Sequence, residues 1–134
     1  MGGLRLTVRD ARALVANFVA ADALAQRQAR QAVARFNAAV VRDVRLNCAY
    51  DTGFMSRAVE GRVSPSGLSA EQGWWPERFA AAGLPYYPPH VELGTARQAA
   101  QPSLYPAVVK YAPRFADDVA GIIRRATDRA RRAA

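Results

Sequence analysis

Few side chains here are equipped for chemistry, and their spacing decides which chemistry is open to them. His90 is the only histidine and Cys48 the only cysteine. A nucleophile–base pair would have to join His90 to Cys48 or to a serine such as Ser56, yet no nucleophile elbow or comparable catalytic pattern surrounds them. Between Pro89 and Val91, His90 reads as a structural histidine, partly exposed or hydrogen-bonded. One histidine among scattered carboxylates gives no metal-ligand cluster. Gly53, Gly61, Gly67 and Gly73 are too widely spaced to cradle a phosphate. The sequence therefore predicts no catalytic residue, no metal, no cofactor and no small-molecule substrate.

The densest information lies in His90-Val91-Glu92-Leu93-Gly94-Thr95 and in Gln101-Pro102-Ser103-Leu104-Tyr105-Pro106-Ala107. It reads as a short amphipathic element stopped by glycine, then a turn, then a proline-started helix. Gly94 supplies a left-handed stop and Thr95 bonds within the turn. Glu92 has two open readings. It pairs with an arginine of another subunit and fixes the registry of an assembly, or it accepts from a backbone donor at the Gly94-Thr95 turn. A partly buried pair of the first kind is costly to break while adding little net stability.

These segments need elements to hold them. The 134 residues suit one domain, and 51% hydrophobic composition argues against wholesale disorder. No apolar run approaches the roughly 20 residues that span a bilayer, and no secretory signal is visible. A lone cysteine excludes an internal disulfide and suits a reducing cytoplasm. The net charge is +8 with pI near 10.7, and apart from His90 every basic residue but Lys110 is arginine. That balance favours an acidic counterpart, either nucleic acid or a protein surface. A GC-rich genome would produce the same alanine and arginine bias.

Leu4 to Val8 alternates as a half-buried strand does, and Asp10 can cap a short helix to about Phe18. Asp22 precedes a longer helix reaching about Asn47. Its apolar stripe is Ala25, Ala29, Val33, Phe36, Val40 and Val44, extended by Cys48. Arg27, Arg30, Arg35, Arg42 and Arg45 lie mostly on its wet side. Asp51-Thr52-Gly53 is a turn, with Gly53 free to take positive φ. Phe54 to Val63 reads as a helical turn running into a strand, Ser64 to Gly67 as a turn, and Leu68 to Trp75 as the returning strand. Glu77 to Ala82 forms one helical turn ended by Gly83, with Pro85, Pro88 and Pro89 blocking a long continuation.

From Pro102 the chain is helical, with Pro106 tolerated in the first turn and Pro113 expected to kink or restart the helix. Val108, Ala112, Phe115, Val119, Ile122 and Ala126 form its apolar face. Arg124, Arg125, Arg129, Arg131 and Arg132 crowd its last turns, where positive charge suits the helix dipole. Asp128 is spaced to pair with Arg124 or Arg132. The expected fold class is α+β: a small antiparallel sheet packed by a long N-terminal helix and a C-terminal helix.

Adjacent tryptophans in an extended segment face opposite sides. One of Trp74 and Trp75 is then core and the other an anchor for a neighbouring subunit; stacking on single-stranded nucleic acid is the alternative. Tyr86 and Tyr87 carry the same ambiguity. Arg124, Arg125 and Arg129 are open to solvation, to DNA phosphates or to an acidic protein surface.

Two segments also resemble a known family. Tyr87 through Ala107 resembles the signature Tyr-Ala-x-x-Val-Glu-Phe-Gly-Thr … Gln-Pro-Phe-Leu-x-Pro-Ala of small neck proteins from long-tailed bacteriophages. Cys48 through Val59 is similar to that family's Ala-Pro-x-Asp-Thr-Gly-x-Leu-Arg-x-Ser-Ile. Leu93 and Ser103 stand where aromatics are usual, Ala49 where proline is common, and Ser64 to Gly83 has no counterpart. The resemblance implies a head–tail joining or tail-completion protein in which Asp51, Thr52, Gly53, Glu92, Gly94, Thr95, Pro102 and Pro106 support the fold. It implies a homo-oligomeric ring in the virion neck, assembled in the host cytoplasm. Its partners would be head-connector and tail-tube or tail-terminator proteins, with genomic DNA in the lumen. A tail terminator capping the tube is the neighbouring possibility, and a basic nucleic-acid-binding protein one of another class.

Overall fold

Asp22 starts the first helix of the described residues, as its residue type demands. In the computed structural model, which describes residues 22–49 and 53–133, its carboxylate accepts from the Leu24 and Ala25 N–H groups, both at 3.0 Å. That satisfies two of the donors every helix start leaves unpaired. Helix α1 follows over Ala23–Asn47. The anticipated stripe is buried at Ala25, Ala29, Val33, Val40, Val44 and Cys48, half-buried at Phe36, and widened by Ala32 and Val41. All five arginines assigned to the wet side are exposed. The regions anticipated as a strand at Leu4–Val8 and a helix at Asp10–Phe18 lie outside the described residues, as do Asp51 and Thr52.

Gly53 has φ 80° and opens α2, Phe54–Ala58. The chain then forms a hairpin of β1, Glu60–Val63, and β2, Ala70–Gly73, paired antiparallel from Glu60 opposite Gly73 to Val63 opposite Ala70. The return strand is shorter than the expected Leu68–Trp75, because Trp74 turns inward and its indole N–H donates to the Met55 carbonyl at 2.9 Å. The hairpin lies against α1. A Cβ on Gly61 would overlap the Asn37 carboxamide, whose oxygen accepts from the Gln72 side chain at 2.9 Å. At the turn, Arg30 Nε donates to the Ser66 carbonyl at 2.9 Å.

Helix α3, Pro76–Ala81, ends as predicted at Gly83. The Gly83 N–H bonds the Ala80 carbonyl and the Leu84 N–H reaches back to Phe79, which satisfies the last carbonyls. No long continuation of α3 follows, as expected from Pro85, Pro88 and Pro89; Pro88 and Pro89 open a separate short helix, α4, Pro88–Leu93. At a helix's first positions their missing N–H groups would be unpaired anyway.

The last helix, α5, spans Leu104–Ala133. It starts two residues later than expected and runs through Pro113 without restarting. Pro113 is exposed, and the carbonyl deprived of its donor belongs to Val109, itself 51% exposed and open to water. The buried face also differs. Ala112 is exposed, whereas Ala107 is fully buried and Tyr111 half-buried, so the stripe passes beside Ala112. Val108, Phe115 and Val119 are half-buried, Ile122 and Ala126 buried. Asp128 pairs with neither Arg124 nor Arg132 among the described residues.

Helices α1 and α5 run antiparallel, and their polar links keep one register on both sides of Pro113. Asp43 takes Lys110 at 2.9 Å and the Tyr111 hydroxyl at 3.3 Å. Arg35 faces Asp118 at 3.6 Å, and Arg129 Nε donates to Asp22 at 2.9 Å. Arg129 Nη2 is also 2.9 Å from that oxygen but lacks hydrogen-bond alignment. Among the described residues the fold is α+β, a two-stranded antiparallel sheet with two long helices, as the patterning predicts.

Asp22 therefore ties two helix ends together. The Ala25 N–H, then the Arg129 guanidinium, hold its carboxyl below the ordinary range against an opposing contribution from burial. A depressed carboxyl pKa contributes stability that is complete above the unfolded value and lost as pH falls through the folded one. Asp22→Ala should lower Tm by roughly 5 °C at pH 7. The gap to wild type should narrow below about pH 4, as followed by circular dichroism melts across a pH series.

Candidate functional site

A helix start leaves the N–H groups of its cap and first three residues unpaired. In α5 these belong to Ser103, Leu104, Tyr105 and Pro106, since the Ser103 carbonyl accepts the first intrahelical bond from Ala107. Pro106 has no N–H to satisfy. Glu92 takes two of the remaining three: its carboxylate accepts the Ser103 N–H at 2.8 Å and the Leu104 N–H at 3.2 Å. It also accepts the Ser103 hydroxyl at 2.6 Å. Only the Tyr105 N–H is left, on a residue 74% exposed to water. Glu92 is thus the cap of a helix that begins twelve residues further on.

Of the two readings of Glu92, the arrangement matches the backbone-donor one in kind and moves it in place. The donors are at the start of α5, not at the Gly94-Thr95 turn. A carboxylate there also meets the positive end of the helix dipole. Ser103 is 3% exposed, so its two donors have little access to substitute water. A serine directly before an apolar run marks a helix start in sequence, but here its hydroxyl donates to Glu92 instead of accepting from its own helix.

The loop between Glu92 and Ser103 is held by its own bonds. Gly94 donates to the His90 carbonyl at 2.9 Å, and Gln101 N–H donates to Val91 at 2.8 Å. Thr95 Oγ1 accepts the Gln98 N–H at 3.1 Å and the Arg97 N–H at 3.3 Å, as expected of a turn threonine. Gly94 ends α4, but at φ 77° and ψ 172° rather than in the left-handed helical region anticipated for it. The observed combination, positive φ with an extended ψ, is essentially closed to other residues. A Cβ there would also stand 2.8 Å from the Ala100 nitrogen. Pro102 precedes this cap and Pro106 falls in the first turn, so the proline-rich spacing serves the junction rather than starting the helix.

The aromatic candidates gather around Phe79, which is fully buried. Phe54, Tyr86 and Tyr87 meet its ring edge-to-face, with centroids 5.0, 5.3 and 5.2 Å away. Trp74 is 8% exposed and belongs to the core. The Tyr86 hydroxyl donates to the Trp74 carbonyl at 2.7 Å, and burial pushes its pKa up. Trp75 is half-buried beneath Arg62, whose guanidinium carbon is 3.9 Å from the ring centroid. The same guanidinium bonds Glu60 and Glu77. The pair thus divides as opposite faces require, with Trp74 inside and Trp75 at the surface.

Of the interface candidates, Trp74 lies in the core, while Glu92 and Arg129 are half-buried and bonded within the chain. Tyr87 is half-buried against Phe79, and Tyr86 keeps one exposed edge. Arg124 and Arg125 are exposed. His90 is exposed and hydrogen-bonds neither Cys48 nor Ser56. Ser56 instead spends its hydroxyl on the Arg45 carbonyl at 2.8 Å, and burial raises the pKa of the Cys48 thiol, which disfavours the nucleophilic thiolate. No group of three or more His, Cys, Asp or Glu side chains among the described residues could hold a metal. No helix among them is long and apolar enough to cross a membrane. No protein-family model, curated protein or solved structure matches the chain.

Replacing Glu92 should expose the weight of the junction. Glu92→Ala removes a cap and strands the Ser103 donors, a loss of roughly 2–3 kcal/mol in denaturant unfolding. Glu92→Gln keeps one acceptor oxygen and should lose about half as much. Equal stability of all three proteins would mean that water serves the helix start equally well.

Proposed function

We propose that this chain is a structural protein of the neck of a long-tailed bacteriophage or prophage, acting in head–tail joining or tail completion. The observation that carries the reading is the ordered pair of segments, Cys48–Val59 and Tyr87–Ala107, that resemble that family's signatures. The geometry supports it by the use it makes of those residues. Glu92, Gly94, Thr95 and the Ser103–Pro106 turn bond mainly to one another and to the chain itself. That is the economy of a construction part, whose recurring residues hold a shape instead of contacting a substrate.

On this reading copies associate head to tail and close by rotation into a ring. Genomic DNA passes through the lumen, while head-connector and tail-tube or tail-terminator proteins dock above and below. The chain works without catalytic residues, metal or cofactor. A tail terminator capping the tube is the same reading one ring further along. The exposed arginines Arg124, Arg125, Arg131 and Arg132 favour one further reading, a basic protein whose business is nucleic acid. Its signature would be steep loss of DNA binding with added salt, about 0.9 per phosphate contact on logarithmic axes.

Particles from a host carrying the gene, imaged by cryo-electron microscopy with antibody labelling, test the proposal. The chain should appear as a closed ring of identical copies between head and tail, and disrupting the gene should leave heads and tails unjoined. Normal joined particles without it would overturn the reading.

A further inference from the structure

An open groove of about 200 Å³ lies between helices α1 and α5. Phe36 and Phe115, half-buried with ring centroids 5.1 Å apart, supply its apolar floor. Arg35 and Arg42 border it from α1, and Arg114 and Asp118 from α5. Asp118 is the one carboxylate there, and it is engaged with Arg35 at 3.6 Å. Arg42 and Arg114 are exposed and have no ion-pair partner among the described residues. The groove therefore joins two uncompensated guanidinium groups to an aromatic floor.

We propose that this groove is a docking site for an acidic peptide segment of a partner protein. One apolar or aromatic side chain lies on Phe36 and Phe115, and carboxylates on either side of it meet Arg42 and Arg114. Charge complementarity selects the occupant. A guanidinium fork matches a carboxylate in two parallel hydrogen bonds, and two free forks call for a segment with a few carboxylates. Duplex DNA fits less well. It offers about one charge per 1.7 Å along a rod with no side chain to fill an apolar floor, and Asp118 on the rim repels phosphate. A second copy of this chain, at +8 overall, meets the groove with charge of the wrong sign. The site belongs to a single chain, so it goes beyond the neck reading and stands without the ring.

The test is a titration of the full chain, labelled with nitrogen-15, followed by NMR. The probe is a blocked pentapeptide with phenylalanine at its centre and two glutamates on each side. Saturable shifts are expected at Arg35, Phe36, Arg42, Arg114 and Phe115. Arg42→Ala and Arg114→Ala should each weaken binding about tenfold. Asp118→Asn should tighten it severalfold, because the rim loses its carboxylate and Arg35 is released; a gain of affinity cannot come from misfolding. The proposal fails if these residues do not respond, or if a peptide with serine for phenylalanine binds equally well. It fails equally if an oligothymidylate of the same charge binds them more tightly, or if dilution of the unliganded protein alone shifts them.

Discussion

The unpaired amide groups at the start of α5 are the constraint on which this structure turns. Helix α5 supplies half of the long-helix pair, and its first turn is pinned where the buried Ser103 and Ala107 meet the core. Buried donors without partners cost roughly 1–3 kcal/mol each, comparable to burying a large apolar side chain. The chain meets that demand with a carboxylate from α4 and with a proline that has no donor to satisfy. Gly94 then takes a backbone conformation that lets the intervening loop fold close enough for Glu92 to reach.

The helix pair is held differently at its two ends. Near the hairpin, Val40, Val44, Met55, Val59, Trp74 and Phe79 form one apolar cluster. Large side chains of this kind stabilise by roughly 1.5–3 kcal/mol apiece when fully buried. At the far end the cluster among the described residues is Ala25, Ala32, Ile122 and Ala126 with Phe115 alongside, and alanine buries little area. The links between Asp22 and Arg129 therefore carry a larger share of the packing there than the exposed Arg35–Asp118 pair, which solvent screens. Local opening should favour the alanine end.

Much of this was legible in the residues, and the reason differs by element. Helix α1 was readable to its last residue because a periodic stripe and a capping Asp22 agree. The hairpin turn was readable from Pro65 and Gly67. The second strand was overextended because alternation says nothing of Trp74 leaving the sheet for the Met55 carbonyl. Pro113 promised a break, yet its solvent-facing position lets the helix continue. Ala112 and Ala107 are indistinguishable by type, so only packing decides which is inside. The partner of Glu92 was hidden because its bond crosses an irregular loop, where no periodicity reports distance. The α1–α5 groove was missed for a related reason: Arg42 and Arg114 are far apart in sequence, and only the antiparallel register unites them.

For a protein whose proposed work is assembly, a rigid junction between α4 and α5 matters more than any reactive group, since partners must find the same surface on every copy. Amide hydrogen exchange at Ser103 and Leu104 examines that junction directly. Both amides should exchange as slowly as those inside α5, and Glu92→Gln should speed them well before it affects α1. Exchange of Ser103 and Leu104 at the rate of freely exposed loop amides in the unmodified protein would contradict the account.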